Sequence, residues 1–154
     1  MFDTTILRSI LKEIYGVDDK YLVPLNNGWF VPTVDPNEKV GTWIGYRINS
    51  YTPYTRAYQA GLYYTKPIKV KFRISFVGPE AETLVQQTLL WEDRKDVTDA
   101  LEKYQLQINY DSREIYSYPI RNAGFNDMLC WIVDFSAQTS YEVDTKQKPW
   151  IPRG

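Results

Sequence analysis

The chain has no histidine, a single cysteine, and nearly balanced charge. Each shortage removes a class of function. Histidine is the commonest general base near neutral pH and the commonest metal ligand, so most hydrolytic, transfer and metal chemistry lacks its usual agent. One thiol, Cys130, cannot supply the convergent ligands of a zinc site, nor an internal disulfide framework. With 18 basic and 19 acidic residues, the net charge of −1 provides neither a global basic field nor an acidic tail. No stretch reaches the ~18 apolar residues of a membrane span, and Met1-Phe2-Asp3-Thr4-Thr5 lacks the basic start of a signal peptide. The expectation is a soluble protein in the cytoplasm. No Gly-Lys-Ser/Thr follows Gly41 and Gly45, so there is no phosphate cradle of that kind. No serine or threonine is singled out as a nucleophile.

What is present suits a protein that works by contact. The 154 residues are 44% apolar, enough for one core, and include five Trp and thirteen Tyr. Cys130 lies inside the apolar run 128–133, where a buried, unreactive thiol is expected.

Periodicity organises the chain. Ile6, Leu7, Ile10, Leu11 and Ile14 recur at helical spacing, which predicts a helix over 4–15, capped by Asp3 or Thr4 and stopped by Gly16. Asn26-Asn27-Gly28 marks a turn before a short strand, Trp29 to Val31. Strands are expected over 41–50 and 67–76. In the second, Ile68, Val70, Phe72, Ile74 and Phe76 alternate with Lys69, Lys71, Arg73 and Ser75, giving one apolar and one basic face. Residues 51–61 read as an extended excursion or edge arm, because Pro53 argues against a central strand. Gly78-Pro79 opens a helix that buries Ala81, Leu84, Val85, Thr88 and Leu89. A break at Trp91-Glu92-Asp93 leads to a second helix, about 94–103. Two strands, 105–110 and 114–118, follow, with a tight turn at Asp111-Ser112 between them. After a loop at 122–127 comes a long strand, 128–143. It carries Trp131, Val133, Phe135, Ala137, Thr139, Tyr141 and Val143 on one face, and Asp134, Ser136, Gln138, Ser140 and Glu142 on the other. The order predicts a single α+β domain, 1–145: a largely antiparallel sheet with helices packed on one face. Residues 146–154, with two prolines and no acid, read as a C-terminal arm.

Four features compete for function. The carboxylate pairs Glu80/Glu82, Glu92/Asp93 and Asp96/Asp99 read as helix-end and solubilising residues rather than a catalytic pair. Lys69, Lys71 and Arg73, with Lys66 before them, are either a solvated face or a surface for a polyanion; no aromatic side chain is interleaved to stack bases. The arm holds Trp150 and Ile151, which are costly to leave in water and pack either on their own domain or on a neighbouring subunit. Tyrosines 46, 51, 54, 58, 63 and 64 cluster as interface residues do. The candidate interface is therefore Tyr51, Tyr54, Tyr58, Tyr63, Tyr64, Trp150 and Ile151, and the candidate polyanion face is Lys69, Lys71 and Arg73. No catalytic, cofactor or metal residue is assigned.

The leading helix (Ile6 to Ile14), the aromatic excursion Tyr51–Tyr64, the strand Ile68–Phe76, the Gly78-Pro-Glu-Ala-Glu82 helix start and the strand Trp131-Ile-Val-Asp-Phe135 together resemble the tail-terminator or neck (tail-completion) proteins of long-tailed bacteriophages. The likeness spans most of the chain and is architectural, without an invariant motif. It implies a non-enzymatic virion protein with no cofactor. Such a protein forms a six-subunit homo-oligomeric ring that joins the tail tube to the head and contacts neighbouring tail tube, sheath or neck proteins. DNA passes transiently through its lumen, and no membrane is involved. Other virion parts (a head-completion stopper, a tube or baseplate protein) and a small-ligand-binding domain stand as alternatives.

Overall fold

A computed structural model describes residues 2–25, 41–60, 63–120 and 128–144. The expected turn at 26–28, the strand at 29–31, the loop at 122–127 and the arm 146–154, with Trp150 and Ile151, lie outside them.

The first helix, α1 (Thr4–Tyr15), forms where the apolar stripe predicted it. Asp3 Oδ1 accepts the Ile6 N–H at 2.9 Å, satisfying one orphan donor of the first turn. Gly16 ends the helix in the left-handed region (φ 62°) and returns its N–H to Lys12 O, as a Cβ-free residue does readily. A 3₁₀ turn, Asp19–Tyr21, follows, and both Arg8 and Lys12 of the helix reach the Asp19 carboxylate (3.1 and 2.9 Å). The next strand, β1 (Leu22–Pro24), is thereby held beside α1, with Arg8 also donating to Leu22 O.

The remaining strands are β2 (Trp43–Pro53), β3 (Tyr58–Ala60), β4 (Tyr63–Val77), β5 (Gln107–Ile120) and β6 (Met128–Asp144). They form a six-stranded sheet in the order β1-β2-β4-β6-β5, with β3 pairing on β4. Among the described residues every pairing is antiparallel except β1 on β2. The two remaining helices, α2 (Ala81–Leu89) and α3 (Lys95–Lys103), stand between β4 and β5 in sequence, separated by a 3₁₀ turn at Trp91–Asp93. This is the expected α+β arrangement.

Alternation fixes the faces. Val70, Phe72, Ile74 and Phe76 of β4 are buried with Val133, Phe135 and Ala137 of β6 and Ile44 of β2, in one cluster with α1, α2 and α3 residues. Its centre is a set of rings: Phe135 stacks on both Trp91 (5.1 Å) and Phe72 (5.0 Å), and Tyr15 meets Phe76 and Trp91. The Tyr15 hydroxyl bonds Thr88 Oγ1, tying α1 to α2. Removal of that phenol from water pushes its pKa upward.

The structure corrects several expectations. Trp131 is only half-buried, whereas the indole of Trp91, at the expected break between the two helices, is fully buried. Leu89, expected in the buried stripe of α2, is exposed. Asp111-Ser112 is not a turn between two strands. The chain runs on through β5 with an irregularity between Asn109 and Glu114, pinned by Asn109 Oδ1 accepting from Asp111 N–H and by Ser112 Oγ donating to Asn109 O. Turn-forming side chains can stabilise a bulge as well as a reversal, because both need the same local backbone bonds. Finally, β4 begins four residues before Pro67. The proline is tolerated because β2 pairs β4 only from Ile68 onward and β3 only to Thr65, so the ladder is interrupted beside it.

Candidate interaction surfaces

Two surfaces of the sheet carry the sequence-derived candidates. The first is its far end. There β2 stops at Pro53, β5 begins opposite Gln138, and only β3, β4 and β6 continue side by side, as Tyr58–Ala60, Tyr63–Thr65 and Glu142–Asp144. Alternation sends its tyrosines to both sides. Tyr58 and Tyr63 are 57% and 47% exposed, and Tyr141, on β6, is 42% exposed. Tyr54, between β2 and β3, is 51% exposed. Tyr64 is half-buried opposite Val143 and Gln59. Tyr51 is in addition tied to its own chain. Its hydroxyl donates to Phe2 O at 3.0 Å, so it secures the N-terminal segment to β2, although its ring remains partly open. Burial of that hydroxyl, with Asp3 nearby, raises its pKa. Tyr46 is buried in the core, where its hydroxyl accepts from Arg8.

The second surface is the sheet face opposite the helices. The pairing register lays it out in rows across β2, β4, β6 and β5. One row is Thr52, Lys69, Gln138 and Gln107. The next is Ser50, Lys71, Ser136 and Asn109, and the third is Arg47, Arg73, Asp134 and Glu114. Cations thus come from β2 and β4, and carboxylates from β6 and β5. The last rows turn apolar: Val77, Cys130 and Ile132 form a second, smaller buried cluster. Burial raises the Cys130 thiol above its ordinary pKa and, together with Cys130, pushes the Tyr118 hydroxyl up to about 12, so both are protonated at neutral pH.

The expected basic face is therefore not uniform. Lys69 and Lys71 are exposed. Arg73 is half-buried and committed: its Nε meets Asp134 Oδ1 at 2.8 Å and its Nη2 meets Oδ2 at 3.1 Å. Tyr116 closes the cluster, accepting from Arg73 Nη2 at 2.6 Å and donating to Asp134 Oδ2 at 3.1 Å. The hydrogen bond to Asp134 holds the guanidinium pKa above its usual value. This corrects the reading of all three cations as a free basic face. Arg73→Ala should cost about 1–2 kcal/mol, between exposed and fully buried pairs, because it strips Asp134 of its two-pronged partner. Lys69→Glu/Lys71→Glu should unfold within ~0.5 kcal/mol of wild type. Urea denaturation of the three proteins checks the contrast, and an Arg73→Ala loss equal to that of the lysine pair would contradict it.

The carboxylate pairs do not converge. Asp96 pairs with Arg94, Glu92 pairs with Arg113, and Glu80 and Glu82 are exposed. Asp134, Tyr116, Glu114, Ser136, Ser112 and Asn49 belong to this face but were not candidates from sequence. Alternation had placed Asp134 and Ser136 together, but only the register of β6 against β4 and β5 sets them beside Arg73, Lys71 and Glu114. Comparison with models of known protein families and with curated proteins finds no match.

Proposed function

We propose that this chain is a non-catalytic assembly protein that works as a homo-oligomeric ring, of the kind found at the tail–head junction of a long-tailed phage. The observation that supports it best is the β3–β4–β6 extension. Exposed tyrosines stand on both of its sides, and the outer edge of the last residues of β6 has no strand against it among the described residues. Open edges and amphipathic rings are what a subunit offers a neighbour. A ring needs two different patches per subunit in head-to-tail contact, which an extension reaching onto the next subunit's body supplies. Lys69 and Lys71, exposed on the face away from the helices, suit a lumen that passes DNA without reading it. The reading agrees with the lack of histidine, which is independent of it.

Sedimentation velocity tests it. Wild-type protein should sediment as a closed oligomer. Replacing Tyr58, Tyr63 and Tyr141 together with serine should leave the circular dichroism spectrum unchanged and weaken association at least ~10-fold, since interface energy concentrates in a few aromatic anchors. A wild-type monomer across the accessible concentration range, or an oligomer indifferent to the triple substitution, rules out the role given to the extension.

One observation favours a second reading, a small-ligand-binding domain. A cavity of about 500 Å³ lies between α3 and β5, lined by Leu101, Leu106, Ile108 and Tyr110 with Glu92 and Gln105. Its volume and mixed lining fall within the range of ligand pockets. A monomer that gains thermal stability with one compound of a metabolite panel would favour this reading.

A further inference from the structure

The cavity of about 500 Å³ between α3 and β5 has an uneven lining. Its floor is apolar: Leu101 and Leu106 are 4% exposed and Ile108 8%, beside the half-buried ring of Tyr110. Its charged lining has one sign, Glu92 and Glu102, with no lysine or arginine. Arg113 pairs with Glu92, but Glu102 is exposed and has no ion-pair partner among the described residues. Gln105, also in the lining, holds a left-handed backbone (φ 57°) just past α3, where glycine is the usual residue. A side chain kept at such a position points to a use for it. β5 is the last strand of the sheet among the described residues, so the cavity lies at an open margin. An apolar floor under an acidic rim suits a segment with an apolar anchor and basic flanks.

This chain carries such a segment. Residues 146–154 hold Lys146, Lys148 and Arg153, no acidic residue, and Trp150-Ile151 between two prolines. We infer that the C-terminal arm of a second copy docks in this cavity, with Trp150 on the floor of Leu101, Leu106 and Ile108 and its lysines toward Glu102. A cavity of this size takes a drug-sized ligand, and thus an indole. Docking removes the arm's largest apolar side chain from water and sets opposite charges together. Reach assigns the arm to another copy. Ile108 of the floor stands opposite Ala137, and β6 runs seven residues further to Asp144, about 23 Å away from it. Trp150 lies six residues beyond Asp144, at most about 22 Å when fully extended. To return to its own cavity the arm must first reverse, which uses several residues, so its Trp150 falls short. The arm also starts at the tip of the β3–β4–β6 extension, the part proposed to reach the neighbour. The inference rests on that assembly reading and names a contact for it.

The test is photocrosslinking of full-length protein carrying p-benzoylphenylalanine in place of Trp150, with sedimentation velocity alongside. Covalent dimers and larger products, whose digests join position 150 to residues 98–110, are expected. Trp150→Ala should weaken association at least ~10-fold with an unchanged circular dichroism spectrum. Glu102→Lys, a change on an exposed side chain, should weaken it in the same direction, as should Lys146→Glu/Lys148→Glu. Combining the two charge reversals should restore most of the loss, which a merely structural role of Glu102 does not predict. Crosslinks to residues 98–110 found only in products of monomer mass would give the cavity to the chain's own arm and overturn the inference. Crosslinks elsewhere would overturn it too. Thermal stabilisation by a metabolite, without interchain crosslinks, would give the cavity to a small ligand instead. A wild-type oligomer indifferent to both Trp150→Ala and Glu102→Lys would remove this contact and leave the ring reading standing. A wild-type monomer at every accessible concentration would remove both.

Discussion

Trp91→Ala should lower folding stability by about 3–5 kcal/mol, the range for removing a large buried aromatic. The indole is wholly enclosed, stacks on Phe135 at an interplanar angle of 9°, and meets Tyr15 of α1. It thus joins the connector between α2 and α3 to the central strand β6 and to the first helix. Neighbouring side chains cannot collapse into the space, because Phe135 is also stacked on Phe72 and held in place by it. For a chain of this length the loss corresponds to a fall in melting temperature on the order of 10 °C. Trp131→Ala is the control. Its half-buried ring should cost roughly 1–2 kcal/mol. Urea denaturation of the two variants side by side separates them. Equal losses would mean that the core is not centred on the Trp91–Phe135–Phe72 stack.

Gly78→Ala should be nearly as damaging, at about 2–4 kcal/mol, although it adds a single methyl group. Gly78 ends β4 with φ at 137°, a region L side chains rarely adopt. A Cβ there would stand 2.7 Å from Thr42 Cα and 3.0 Å from Gly41 O, both backbone atoms that cannot swing away. The contact matters beyond its own site, because Thr42 Oγ1 accepts the Glu80 N–H at 2.9 Å where α2 begins. Displacing Thr42 therefore loosens the start of α2 as well as the end of β4. Thermal and urea denaturation of Gly78→Ala against a Gly16→Ala control should rank Gly78 as the worse site. Gly16 has positive φ too, but open space around its missing Cβ. A smaller loss at Gly78 than at Gly16 would show that the close approach to Thr42 is relieved at little cost.

Elements with a local cause were legible in the sequence. The span of α1 followed from an apolar stripe with Asp3 and Gly16 at its ends, and the inner faces of β4 and β6 followed from strict alternation. Elements with a non-local cause were not. Asp111-Ser112 has the chemistry of a turn, and only the neighbouring β6 ladder decides that β5 continues through it. Trp91, after the helix stripe had ended, carried no periodic signal, and its burial comes from Phe135, 44 positions along the chain.

The candidate surfaces divide in the same way. By itself the sequence determined that Lys69, Lys71 and Arg73 share one strand face and that tyrosines crowd 51–64, because side-chain direction along a strand depends on backbone geometry alone. The tertiary structure decided where those residues stand and what they touch. Register against β6 gave Arg73 a carboxylate partner and left Lys69 and Lys71 exposed. It also laid Ser136 beside Lys71, with Glu114 of β5 one row away. The early ends of β2 and β5 left Tyr58, Tyr63 and Tyr141 on an extension of three strands. Register and strand ends arise from pairings between distant segments, whose energies depend on the partner chosen as much as on the strand itself.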